Sequence, residues 1–149
     1  ALIYIFSIRI MNYQKMNFKN ILQSRALKAT GKRLKVLQII NNYGNAMPYS
    51  ELQKSLINFD RVTLYRIINT FIEHGIIHKA STRGQETYYA ICSHHCTSQQ
   101  HNHQHIHFKC TSCKSVSCIQ IDETIAIVIP KFKVQNIEIE ASGICENCA

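Results

Sequence analysis

Two short cysteine pairs, Cys110-Thr-Ser-Cys113 and Cys145-Glu-Asn-Cys148, restrict the fold of this chain more than any other feature. Two thiols three positions apart project from one tight turn toward a common point. Two such turns complete the tetrahedral four-sulfur shell that zinc prefers. The 31 residues between the pairs exceed the interval of a short zinc ribbon, so intervening structure has to bring the turns together. Ile106–Lys109 reads as a strand leading into the first pair. Residues 123–129 read as a short helix stopped by Pro130, and residues 132–141 as a strand returning to the second pair, with Gly143 permitting the turn. A redox CxxC or inert buried cysteines are the competing readings. Two pairs in one chain favour a closed structural zinc site held by Cys110, Cys113, Cys145 and Cys148.

The remaining composition divides the chain in two. A length of 149 residues accommodates one ordinary domain or two small ones, which excludes a large multidomain enzyme. The net charge of +8 is uneven: residues 1–91 carry thirteen Lys/Arg against four Asp/Glu, and residues 92–149 carry four against five. All seven cysteines and six of the eight histidines lie in the second part. A basic module therefore precedes a ligand-rich one. No apolar run approaches the roughly 20 residues that span a bilayer. The apolar stretch at residues 1–10 lacks both a preceding basic segment and a small-residue cleavage site, so no export signal is expected. Either Met11 or Met16 offers an initiator, and residues 1–16 are given no functional role. A cytoplasmic location is expected, where thiols stay reduced and bind metal rather than pair.

In the basic part, residues 18–29 follow a helical pattern, and Thr30 caps a second helix with Leu34, Leu37 and Ile40 inward. Asn41–Asn45 ends it. Ser50-Glu-Leu-Gln53 has capping-box spacing and opens a third helix burying Leu52 and Leu56. Asp60 caps a fourth helix from Arg61 to about His74. Its Leu64, Ile67, Ile68, Phe71 and Ile72 share one face, and Thr63, Arg66, Asn69 and Thr70 the other. Gly75 stops this helix, and residues 76–79 and 86–91 form a hairpin around residues 81–84. Helices followed by a hairpin describe a winged helix, whose last helix enters the DNA major groove. The excess of positive charge supplies the phosphate attraction such a module needs, although basic side chains also merely solvate many helical domains.

The ligand-rich part also contains His103, His105 and His107, which alternate and so share one face of an extended strand, where they can converge on one metal. His94, His95 and His101 read as linker. Mixed imidazole and thiolate donors suit zinc better than magnesium or calcium, without excluding iron, nickel or manganese.

Together these residues resemble the ferric uptake regulator superfamily. The likeness rests on Thr30-x-x-Arg33, Asp60-x-x-Thr63-Leu-Tyr-Arg66, Gly75-Ile-Ile-His-Lys79, His105-x-His107-x-x-Cys110-x-x-Cys113 and Cys145-x-x-Cys148, from about residue 18 to the end. It implies an α+β protein. A winged-helix DNA-binding domain would occupy residues 17–91, a hinge 92–104, and a small α/β dimerisation domain with the structural zinc 105–149. It further implies a homodimer on double-stranded operator DNA, with no membrane, no small-molecule substrate and no enzymatic activity. Lys32, Arg33, Arg61, Thr63, Tyr65 and Arg66 are the implied DNA-binding residues, with Lys32 or Arg33 on the phosphate backbone and Tyr65 and Arg66 in the recognition helix.

The chain departs from the iron and peroxide sensors of that superfamily in having no histidine between residues 17 and 73 and none after His107. His78 in the wing and Cys92 just beyond it resemble the zinc uptake regulator branch. The expected sensory site is His78, Cys92 and His105, completed by His107 or Cys118, with His103 in reserve. This gives one structural and one regulatory Zn2+ per protomer in a zinc-responsive repressor of metal uptake genes. An iron- or peroxide-responsive regulator is the alternative. A zinc hydrolase would need a carboxylate base, for which only the poor candidates Glu86 and Glu123 offer themselves.

Overall fold

The computed structural model describes residues 16–81, 84–92, 105–120, 128–134 and 139–149. Helix α1 spans Phe18–Ser24, capped by the Asn17 side chain, and buries Phe18 and Leu22. It stops short of the predicted Ala29 because Ala26 takes a left-handed conformation, φ 56°. The amides of Ala26 and Leu27 then turn back onto the carbonyls of Gln23 and Leu22, the double closure that ends many helices. Helix α2, Gly31–Tyr43, starts at the predicted Thr30 cap and buries Val36, Leu37 and Ile40; Leu34 is half-buried against the same core.

Strand β1, Met47–Pro48, was not foreseen, and it displaces the predicted capping box. Helix α3, Tyr49–Ser55, begins one residue before Ser50, with Pro48 as its N-cap and no side-chain cap. The Ser50 amide instead donates to Glu86 Oε1 at 3.2 Å. A tertiary contact thus satisfies the donor that Gln53 was expected to share. Glu86 is thus taken up at the start of α3.

Helix α4, Arg61–Glu73, starts where Asp60 accepts the Thr63 amide at 2.8 Å. Its apolar arc Leu64, Ile67, Ile68 and Phe71 is buried as predicted. Each such side chain contributes about 1.5–3 kcal/mol relative to exposure. Gly75, at φ 63°, closes the helix, with Ile76 N–H bonded to the Phe71 carbonyl at 2.8 Å. Strands β2, Ile77–Ser81, and β3, Tyr88–Ile91, form the predicted hairpin; β1 adds to its far edge, giving the antiparallel order β1-β3-β2.

The second sheet has the order β5-β4-β6. Strand β4, His105–Cys110, pairs antiparallel with β5, Val116–Gln120, and parallel with β6, Glu140–Gly143. A 3-10 turn, Glu146–Cys148, follows. Strand β5 was not anticipated. The predicted helix at 123–129 lies mostly outside the described residues, and Val128 and Ile129 are not helical. The predicted returning strand at 132–141 is realised only at its end: residues 132–134 are irregular, residues 135–138 are outside the description, and the strand runs on through Gly143. The hinge, 92–104, lies outside the description beyond Cys92.

One hydrophobic core joins the four helices to Ile76, Ile77, Tyr89 and Ile91. A second, smaller one, Ala46, Ala80, Tyr88, Ala90 and Val116, lies where the first sheet meets the second. Among the described residues no helix is long and apolar enough to cross a membrane. Phe71 lies at the centre of the main core, fully buried. Phe71→Ala is expected to cost about 3–5 kcal/mol in denaturant unfolding; a loss below 1 kcal/mol would contradict the packing described.

Candidate metal centres

Two groups of ligand side chains converge in the structure. The first is Cys110, Cys113, Cys145 and Cys148, whose sulfurs lie within 4.8 Å of one another. Strand β4 delivers Cys110 at its end. The turn that follows is closed by Cys110 N–H to Ser115 O at 2.9 Å and Lys114 N–H to Cys110 O at 3.1 Å, with Lys114 at φ 64°. Thr111 binds the Gly143 carbonyl through both its amide, at 2.7 Å, and its hydroxyl, at 3.1 Å, which fixes the second turn beside the first. The Cys145 amide points at Cys110 Sγ, 3.4 Å away. This amide and that of Cys113 pull the Cys110 thiol down to about 6. Ser115 lowers that of Cys113. Cys145, donating to Cys110 and Cys148, is pushed up to about 12. Amides aimed at sulfur favour thiolate, the form that binds metal. Bonds of about 2.3 Å place sulfurs about 3.8 Å apart on a tetrahedron, and Cys113 Sγ and Cys145 Sγ are 3.8 Å apart. The donor set fits zinc.

The second group draws on three strands: His78 from β2, His105 and His107 from β4, and Cys118 from β5, their ligand atoms again within 4.8 Å. His105 and His107 share a face of β4, and Cys118 is the cross-strand partner of His107. The Nε2 atoms are 2.8 Å apart for His105 and His107, 3.1 Å for His78 and His107, and 3.3 Å for His78 and His105. Cys118 Sγ lies 3.6 Å from His78 Nε2.

Three neutral imidazoles cannot satisfy one another in this arrangement. Each Nε2 either donates or accepts, so at least one pair must set lone pair against lone pair or N–H against N–H. A cation that accepts all three lone pairs removes the conflict. The spacings of His78 to His107 and to His105, 3.1 and 3.3 Å, are close to the roughly 3.3 Å expected between nitrogens about 2.05 Å from a tetrahedral zinc, and that of His105 to His107 is shorter. Burial pushes the Cys118 thiol up to about 12, so this sulfur becomes a thiolate only in exchange for another positive charge.

The sequence expected Cys92 in this shell and left His107 and Cys118 as alternatives. The structure brings both His107 and Cys118 to His78 and His105, and Cys92 is not in that group of four. His78 is 7% exposed, and its ring directs Nε2 at the cluster and Nδ1 at the buried Cys92, whose Sγ lies 3.5 Å away. His103 and Glu123 lie outside the described residues.

The residues expected at DNA lie around the start of α4. Tyr65 is 61% exposed beside the exposed Arg61 and Arg66, with Thr63 half-buried. Lys32 Nζ sits 5.6 Å above the Phe59 ring, just before the Asp60 cap, and Arg33 Nη1 donates to the Lys28 carbonyl at 3.0 Å. Val62 also lies on this outer face, unpredicted because an apolar residue carries no charge signal.

A winged helical module and a small second sheet thus bring together two groups of metal-ligand side chains, one of them drawing on both sheets. The sequence profile of the ferric uptake regulator family matches residues 24–145, and the chain belongs to that family. It is a metal-responsive, DNA-binding transcription regulator and not an enzyme. The ferric uptake regulation protein of Staphylococcus aureus is 30% identical over 137 residues, covering 86% of this chain and 93% of its own. That of Staphylococcus epidermidis is 28% identical over 136 residues, covering 86% and 91%. Among solved structures, a zinc uptake regulator complexed with zinc and DNA matches with a TM-score of 0.63 at 22% identity, over 88% of this chain and 89% of that one. The Vibrio cholerae ferric uptake regulator matches at 0.60 and 23%, over 87% and 100%. These structural likenesses speak to the fold.

Metal binding to either cluster has to displace thiol protons. Cobalt(II) added to the metal-free protein at pH 7 is expected to release protons and produce thiolate absorption. Affinity should fall with pH, most steeply below about 6, where Cys110 also is protonated. Affinity unchanged between pH 8 and 5 would contradict thiolate ligation.

Proposed function

We propose that the protein is a zinc-responsive repressor of metal uptake genes that binds palindromic operator DNA as a homodimer. Each protomer carries one structural zinc on Cys110, Cys113, Cys145 and Cys148, and one regulatory zinc on His78, His105, His107 and Cys118. The observation that carries this reading is the convergence of three imidazole nitrogens and a thiol from both sheets. A set of three nitrogens and one sulfur suits zinc better than a site of carboxylates would. The name of the staphylococcal relatives favours iron instead, which makes the sensed metal the first thing to test. Residues 17–91 would act as the DNA-binding module, 92–104 as the hinge and 105–149 as the dimerisation module. The exposed Val128, Ile129, Phe132, Val134 and Ile144 support a partner surface on the last of these.

The mechanism lies in how His78 is mounted. Only three residues separate the end of α4 at Glu73 from the start of β2 at Ile77, and Gly75 and Ile76 are hydrogen-bonded back onto α4. Fixing the His78 ring relative to β4 and β5 therefore fixes the axis of α4. When bound, the ion supplies a Lewis acid that accepts donors from both sheets and so favours the arrangement in which they meet. In a two-fold dimer the two α4 helices must then match half-sites separated by whole turns of DNA. Arg61, Thr63, Tyr65 and Arg66 would read the groove, with Lys32 and Arg33 on phosphate. Cys92, behind His78, would hold the ring's orientation.

Elemental analysis is expected to give two zinc ions per protomer, one of them chelatable and required for binding a duplex selected from a randomised pool. His105→Ala should retain one zinc and the dimer but lose zinc-dependent binding. Cys92→Ser should weaken regulatory-zinc affinity about 10–100-fold. Restoration of binding by ferrous iron or manganese but not zinc would keep the fold and overturn the metal. Cys110→Ser is expected to lose the fold or the dimer, and a stable variant dimer would overturn the structural site.

A further inference from the structure

His78 lies against His105 and His107 across the two sheets, so the geometry of the regulatory cluster depends on how the sheets are docked. The apolar part of the seam is small, consisting mostly of alanines with Tyr88 and Val116, and small side chains bury little surface.

The polar contacts across the seam are more specific. Ser81 and Tyr88 are cross-strand partners at the end of the wing hairpin, beside the register shift that follows Lys79. The Ser81 hydroxyl, 3% exposed, donates to Glu140 Oε2 on β6 at 3.3 Å. The Tyr88 hydroxyl donates to the Lys114 carbonyl at 3.2 Å, in the turn that closes the first cysteine pair, and Lys109 Nζ lies 5.4 Å above the Tyr88 ring. On the other side, Ala46 N–H bonds the Val116 carbonyl at 2.9 Å and Ser117 Oγ donates to Asn45 Oδ1 at 3.2 Å. None of these groups belongs to either ligand set.

We infer that Ser81 and Tyr88 are positioning residues of a latch that holds the wing against the second sheet in the arrangement that forms the regulatory site. This rests on the reading of His78, His105, His107 and Cys118 as the regulatory site. The latch favours the arrangement in which His78 meets the other three donors; a site formed only part of the time binds with an affinity reduced by that fraction. Because Tyr88 grips the Lys114 carbonyl, the turn of the four-cysteine cluster is one half of the latch.

Tyr88→Phe keeps the ring and loses only the hydroxyl, and Ser81→Ala is a small change in a small pocket, so both variants are expected to fold. In the full chain with its four-cysteine site filled, zinc affinity is measured by competition with a chromophoric chelator, and coordination by the absorption spectrum of cobalt(II) at saturation. Each substitution should weaken regulatory-zinc affinity roughly threefold to tenfold, and the pair about thirtyfold. The saturated cobalt spectrum, the circular dichroism and duplex binding at saturating zinc should stay close to those of the unaltered protein. Unchanged zinc affinity in the folded double variant would overturn the latch, and so would an altered cobalt spectrum at saturation, which would place these residues in the coordination itself. An unaltered protein that takes up only one metal ion would instead overturn the regulatory site on which the latch depends.

Discussion

A buried imidazole in the middle of a strand must find a partner for each ring nitrogen, and His78 meets this demand on two sides at once. Its Nδ1 faces Cys92 within the first sheet, and its Nε2 reaches His105, His107 and Cys118 in the second. An unpaired polar nitrogen this deeply buried would cost about 1–3 kcal/mol. The position of the wing relative to the second sheet is therefore tied to the environment of one ring. Among the described members of that cluster, His78 is the one ligand candidate supplied by the first sheet.

What makes the helical module respond as one body is the continuity between α4 and β2. The carbonyls at the end of α4 are taken up by Gly75 and Ile76, and Ile76 and Ile77 are buried in the same core as Leu64, Ile67, Ile68 and Phe71. Close packing of this kind transmits displacement and does not absorb it. The outer face of α4, with Tyr65 and Arg66, lies on the opposite side of the helix from this core. The exposed face of α4 and the His78 ring are thus carried by one packed unit.

Much of this was legible from residue order. The 3.6-residue spacing of Leu64, Ile67, Ile68 and Phe71, the caps Thr30 and Asp60, and the stop at Gly75 are local signals, and local hydrogen bonds realise them. The two CxxC turns were legible for the same reason. What escaped was long-range. Strand β1 is two residues long and exists because Tyr88 and Tyr89 pair with it. Strand β5 runs through Cys118, read only as a ligand, and is defined by its pairing with β4. Ser50 kept its expected helix but found its cap in Glu86, 36 residues away. Cys92 was expected in the shell and Cys118 only as one of two completing ligands; that Nδ1 of His78 faces Cys92 while Nε2 faces Cys118 is encoded by no spacing in the chain. Ser81, Tyr88 and Glu140 carry no motif at all.

The two clusters are not independent, because both are built on β4. This strand of six residues begins with His105, passes His107 and ends at Cys110. Its antiparallel neighbour, β5, starts just beyond the turn closed by Cys113 and Ser115 and brings Cys118 opposite His107. Register between paired strands is set by the connection that joins them, and here that connection is the first cysteine turn. A one-residue slip would carry Cys118 to the opposite face of the sheet from His107. The parallel partner β6 is tied in at its far end by Thr111 and the Cys145 amide. The turn that carries Cys110 and Cys113 thus sets the register on which the geometry of the second cluster depends. The four-sulfur group at one end of β4 and the mixed group at the end that meets the wing therefore share one strand register.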